Sequence, residues 1–153
     1  MAKDVTKVII SCAGQDDIVL EHSDLKLEVE FMVDTVQTKV KDRKNDIVNE
    51  ITIRGFITPA TTAEVKKLAE WSLSNDYKQQ YRKVDIAYAA NSSNKMVREF
   101  KLTKAFCVDY KEIYPSEISQ RDSSSAREPY FEILLSQKAD SLEDISVIAG
   151  SPE

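Results

Sequence analysis

The sequence predicts a mainly β fold, a small antiparallel β-barrel or sandwich with one flanking α-helix and an extended inter-strand loop. Three observations predict it. Apolar and polar residues alternate in several separate runs, the period-two mark of half-buried strands. Only one stretch carries helical periodicity. The runs are joined by short links, so the order is strands, one helix, strands, which suits an antiparallel sheet rather than a parallel one.

The first run, "DVTKVIISC", is β-rich, and Gly14 opens a turn after it. "LKLEVEFMV" alternates Leu25, Leu27, Val29, Phe31 and Val33 against Lys26, Glu28 and Glu30. The connection "DTVQTKVKDRKND" is polar, mixed in charge and free of Gly and Pro, and it is longer than a hairpin needs. "EITIRGFI" resumes the alternation, with Gly55 marking a bulge or a close backbone approach.

"TPATTAEVKKLAEWSLSNDY" is the helix. Pro59 closes the preceding strand, and Thr61 with Glu64 reads as a capping box. Val65, Leu68, Ala69, Ser72 and Leu73 form its apolar stripe with Trp71 at the margin, and Lys66 and Glu70 pair on the wet side. "KVDIAYAAN" is the next strand and "NSSN" a turn. "REFKLTKAFCVDYKEIY" then alternates Phe100, Leu102, Lys104, Phe106, Val108 and Tyr110 against their neighbours, over about twice the usual strand length of roughly five to six residues. A Ser-rich loop bounded by Pro115 and Pro129 leads to "YFEILLSQKA", the last clear strand.

The 153 residues are read as one domain. Residues 1–24 form an N-terminal strand region that the pattern does not place, and residues 140–153 a partly flexible tail in which Ile145, Val147 and Ile148 can dock. The net charge of −5 argues against broad binding to nucleic acid or anionic membrane. No apolar run reaches the roughly twenty residues of a membrane span, and the opening "MAKDVTKVIISCAGQDD" lacks the layout of a secretory signal. Cys12 and Cys107 make neither a disulfide framework nor a zinc spacing and read as buried free thiols.

Catalytic chemistry has little to work with. His22 is the one histidine and sits in a polar turn, where solvent exposure is the bland reading. Three glycines cannot build a dinucleotide fingerprint or P-loop. The acid pairs Asp16–Asp17 and Glu143–Asp144 lack the ligand spacing of a calcium loop. The basic residues Lys39, Lys41, Arg43 and Lys44 are diluted by Asp42 and Asp46. No catalytic group, metal site or cofactor is expected. What stands out is architecture: an overlong strand, a long arm, and more sheet than one helix covers, leaving edges for another chain to pair.

The succession "LAEWSLSNDYKQQYRKVDIAY", "MVREFKLTKAFCVDYKEIYPS" and "EPYFEILLSQKADSL" resembles the tube protein of type VI secretion systems. This is the haemolysin-coregulated protein (Hcp, TssD) family, in its Bacteroidetes-type branch, related to contractile phage tail-tube proteins. The resemblance rests on Leu68 and Trp71 at the helix end, the strand after it, and Phe100, Thr103, Ala105, Val108 and Tyr110–Lys111–Glu112 in the long strand. It covers about the last two-thirds of the chain, as a succession of elements more than a signature.

The resemblance implies a structural subunit that forms stacked homo-hexameric rings, with sheath, spike, baseplate and effector proteins as partners and no nucleic acid or membrane insertion. It implies assembly in the bacterial cytoplasm and export by the injection machine. It also implies that the inter-subunit arm includes Thr38, Lys39, Val40, Lys41, Asp42, Arg43 and Lys44, and that the long strand from Phe100 to Tyr110 serves assembly. The alternative is a monomeric ligand-binding β-barrel with the helix as a lid, since barrels of this size can hold one small ligand.

Overall fold

A computed structural model describes residues 5–35, 47–90, 95–115, 128–137 and 146–149. Its strands are β1 (Val5–Ser11), β2 (Ile18–Leu20), β3 (Glu28–Thr35), β4 (Ile47–Phe56), β5 (Arg82–Ala90), β6 (Lys95–Ile113), β7 (Tyr130–Gln137) and β8 (Ser146–Ala149). Helix α1 (Thr62–Ser72) and the single turn α2 (Tyr77–Gln80) lie between β4 and β5, and a 3-10 turn (Ser23–Leu25) joins β2 to β3. The strand order is β2-β1-β5-β6-β7-β4-β3, all antiparallel, with β8 on β6.

The expected fold class stands: a mainly β structure whose single sheet curls over itself, flanked by one helix of ordinary length. The N-terminal run joins the sheet next to its end, with β1 between the short β2 and β5. β2, too short to show a period, and β8, inside the expected tail, are additions.

Curling puts the inward residues of both halves into one core. Val8, Ile10, Ile18, Leu20, Val84, Ile86 and Leu102 come from one half, and Ile51, Ile53, Phe131, Ile133 and Leu135 from the other. All are 2% exposed or less. At roughly 1.5–3 kcal/mol per fully buried large side chain, this is the main favourable contribution to the fold. These side chains occupy the inner faces of the curled sheet, as in other small barrels.

Helix α1 docks on this body through Val65, Leu68 and Trp71, spaced three and three apart. Trp71 is thus a core residue and not marginal, while Leu73, placed in the stripe by sequence, is 78% exposed just past the helix. The indole Nε1 donates to the carbonyl of Gln80 at 3.0 Å, and the guanidinium of buried Arg82 lies 5.1 Å from its ring centre. That cation–π contact and hydrogen bond fix the ring inward. Leu73 has no such partner.

The capping box does not form. The Thr61 hydroxyl accepts from the Thr58 amide at 2.8 Å and donates to the Phe56 carbonyl at 2.9 Å, while the cap makes no side-chain bond into the helix. Glu64 is taken by two other partners, the Val19 amide and the Lys67 ammonium, both at 3.0 Å. Tertiary hydrogen bonds have displaced the local motif, and Glu64 ties α1 to β2 instead. Lys66 and Glu70 do pair, at 3.8 Å.

Gly55 marks a close approach and not a bulge. A Cβ there would lie 2.7 Å from Cε1 of Phe131 and 3.1 Å from Cδ2 of Leu27. The ladder with β7 runs through it in register.

Candidate assembly surface

The 19-residue strand β6 organises the surface. One edge pairs with β5 from Lys95 to Ala105. The other pairs first with β8, over Arg98–Lys101, and then with β7, over Ala105–Ile113. The strand belongs to both halves of the curled sheet, which gives its length a purpose within one molecule.

Its alternation is not continuous. Arg82 pairs with Ala105 but Val84 pairs with Leu102, so one extra β6 residue is accommodated at Thr103–Lys104. A second shift falls at Val108, between Cys107 and Asp109. Each bulge exchanges the inward and outward faces. Phe100 and Leu102 face the core, then Ala105 and Cys107, then Tyr110. Lys104, Phe106 and Val108, expected on the same face as Leu102, leave it; Lys104 is exposed and Val108 is 43% exposed.

Gln137, at the end of β7, holds the first bulge. Its side-chain oxygen accepts from the Lys104 amide at 2.9 Å, its amide nitrogen donates to the Thr103 hydroxyl at 3.0 Å, and its backbone N–H donates to buried Asn49 at 3.0 Å. This supplies partners that a bulged ladder forfeits. Sequence reasoning missed Gln137, since a polar residue at a strand end carries no periodic signal.

β5 ends where it meets Ala105. Beyond it, Tyr81 closes edge-on against Phe106 with ring centres 5.9 Å apart. From Val108 to Ile113 that side of β6 has no strand partner among the described residues. Val108 lies exposed at its start, and Tyr114, 62% exposed, follows its end.

The outer edge of β3 is likewise unpaired among the described residues, and Met32 and Val33 are 45% and 46% exposed there. Consecutive strand residues point to opposite faces, so β3 carries one exposed apolar side chain on each of its faces there. The arm Thr38, Lys39, Val40, Lys41, Asp42, Arg43 and Lys44 follows this hairpin end and lies outside the described residues, as do the "NSSN" turn and most of the Ser-rich loop.

The outward face of the β3–β4–β7–β6 half carries a transverse charged row. Arg54 reaches Glu28 at 3.5 Å, Glu30 at 3.9 Å and Glu132 at 3.0 Å, and Lys111 reaches Glu132 at 3.0 Å. The row follows the register Glu28–Arg54–Glu132–Lys111. The Lys111 hydrogen bond, with Arg54 beside it, holds the Glu132 carboxyl below its ordinary range against the opposing effect of burial.

At the far end of β6, Tyr110 and Tyr114 both donate to the Glu112 carboxylate, Tyr110 at 2.5 Å. Burial first, then the bond to Glu112, pushes the Tyr110 phenol well above its ordinary value, so it stays a neutral donor. Burial, with Asp109 nearby, pushes the Cys107 thiol up to about 11. Neither cysteine is in a disulfide, and both are half-buried. His22 is exposed and its Nδ1 accepts the Asp24 amide at 3.0 Å, capping the 3-10 turn.

Among the described residues, no group of three His, Cys, Asp or Glu side chains could hold a metal ion, and no helix is long and apolar enough to cross a membrane. The surface offers sheet edges and isolated apolar side chains.

No protein-family model matches the chain, and no curated protein does. Solved structures do. The fold is one that solved structures already show. In particular it is the Hcp fold: Hcp1 from Flavobacterium johnsoniae superposes with a TM-score of 0.55 at 19% identity, over 94% of this chain and 96% of that one. A crystal structure of an Hcp protein gives 0.54 at 12%, over 99% and 100%. A chain of the six-fold-symmetrised anti-feeding prophage baseplate gives 0.50 at 9%, over 97% and 94%. The likeness is one of fold.

Proposed function

We propose that this protein is a structural tube subunit of a contractile injection or type VI secretion machine, without catalysis. Six copies close into a ring and rings stack into a hollow conduit that a sheath drives outward with its spike and effectors. The observation that carries the reading is the pair of open borders on an Hcp-type fold, the β6 edge from Val108 to Ile113 and the outer edge of β3. Such edges invite pairing with another chain, and two different edges on one molecule give a heterologous, head-to-tail contact that closes when the rotation permits. Likeness to Hcp structures and to a six-fold baseplate chain supports six as the number. The arm from Thr38 to Lys44, at the end of the exposed hairpin, is proposed to reach a neighbouring subunit or ring.

Negative-stain microscopy of the purified protein tests this, with six-fold rings or short stacks as the expected particles. The Val108→Asp variant, altered at an exposed site, is expected to lose rings while keeping the wild-type circular dichroism spectrum. Uniform small particles from the wild-type protein would overturn the reading.

A further inference from the structure

The outer edge of β3, offered above to a ring neighbour, also shares a cleft with an open border on β1 of its own molecule. β2 pairs only with Val8–Ile10 of β1, so the same edge of β1 over Val5–Lys7 has no strand partner among the described residues. The chain passes from β2 to β3 through the 3-10 turn, with Leu25 buried. β1 and β3 are not paired, and Thr6 of the one and Val29 and Phe31 of the other line the same cleft.

That cleft holds about 400 Å³. Thr6 stands on one wall and Val29 and Phe31 on the other, with Ile86 and Phe100 below. Phe31 and Phe100 stack with ring centres 4.5 Å apart and remain partly exposed. Arg98 lies on the rim, exposed, and makes no ion pair among the described residues. Glu28, which lines the same cleft, is engaged 3.5 Å from Arg54.

We propose that this seam receives an extended segment of a partner protein as an added strand. Three features select its chemistry. Unpaired backbone groups on both borders call for an extended chain, the mode in which main-chain bonds give affinity and alternate side chains give specificity. The phenyl pair calls for a large apolar side chain. The free guanidinium calls for a carboxylate beside it. The partner is therefore an extended segment with an aromatic or aliphatic anchor and an acidic residue on the same face.

The test uses the full chain and a panel of seven-residue synthetic peptides of alternating threonine and valine. Each has Phe, Tyr, Leu or Ile at the centre and Glu two residues later, and titration calorimetry reads the affinity. One-to-one binding by at least one peptide is expected, weakened about tenfold or more when alternate peptide amides are N-methylated. Arg98→Glu should weaken the acidic peptide similarly and favour a counterpart with Lys in place of Glu. No binding by any peptide up to about 1 mM would overturn the proposal. So would binding indifferent to both N-methylation and Arg98→Glu, or binding seen only after residues 1–4 are removed, which would make the chain's own segment the occupant.

Discussion

Single residues of this protein act through contacts that their neighbours cannot give up. Gly55 faces the fully buried ring of Phe131, which has no room to retreat. Gly55→Ala is expected to cost about 1–3 kcal/mol by overpacking, read by urea denaturation. The Thr61 hydroxyl joins the end of β4 to the start of α1 and is 1% exposed. Thr61→Val should cost about 1–3 kcal/mol by leaving the Thr58 amide unpaired.

Glu132 titrates below the ordinary glutamate range in the folded state. A lowered folded-state value means that its stabilising contribution is complete above the unfolded-state range and is lost as pH falls through the folded one. Denaturation midpoints measured from neutral pH downward should therefore fall less steeply for Glu132→Gln than for the wild type. The Cys107 thiol, pushed up to about 11, is protonated near neutrality. Its reaction with a thiol reagent should be slow at about pH 8 and accelerate toward the shifted value, since the thiolate is the nucleophile. Rapid modification at neutral pH would contradict the burial assigned to it.

At the scale of elements, long alternating runs were legible and short or bulged ones were not. β3, β4, β5 and β7 lie where period-two runs put them, and α1 where the one helical period did. β6 was found, but its faces were read as continuous. The clue was Lys104, a charge on a row otherwise apolar up to Val108, opposed by small Ala105. A bulge resolves that conflict by turning Ala105 in and Lys104 out. The device that holds it, Gln137, comes from a strand thirty-three positions away in sequence, and no local pattern encodes such a partner. For the same reason Trp71 was placed at the margin and Thr61 with Glu64 in a cap. Their partners, Gln80, Arg82, Phe56 and Val19, arrive only with the tertiary fold. Gln137→Leu is expected to cost about 1–3 kcal/mol by leaving the part-buried Lys104 amide without its side-chain acceptor. Denaturation measures the cost, and amide exchange at Thr103–Ala105 localises it; unchanged exchange there would show that the bulge stands without the clamp.

The whole molecule combines a packed core with unsealed borders. Buried side chains from both halves of the curled sheet make up that core. The strand edges at β3 and at the far half of β6 remain without partners among the described residues. The long strand was legible from sequence, but which stretch of β6 is open depends on where its pairing with β5 stops, a matter of register. Light scattering on the eluting protein across a wide concentration range measures the consequence most directly. Self-completing borders predict a species of six times the 17.3 kDa chain mass, with larger stacks as concentration rises. A constant mass of one chain throughout would contradict them.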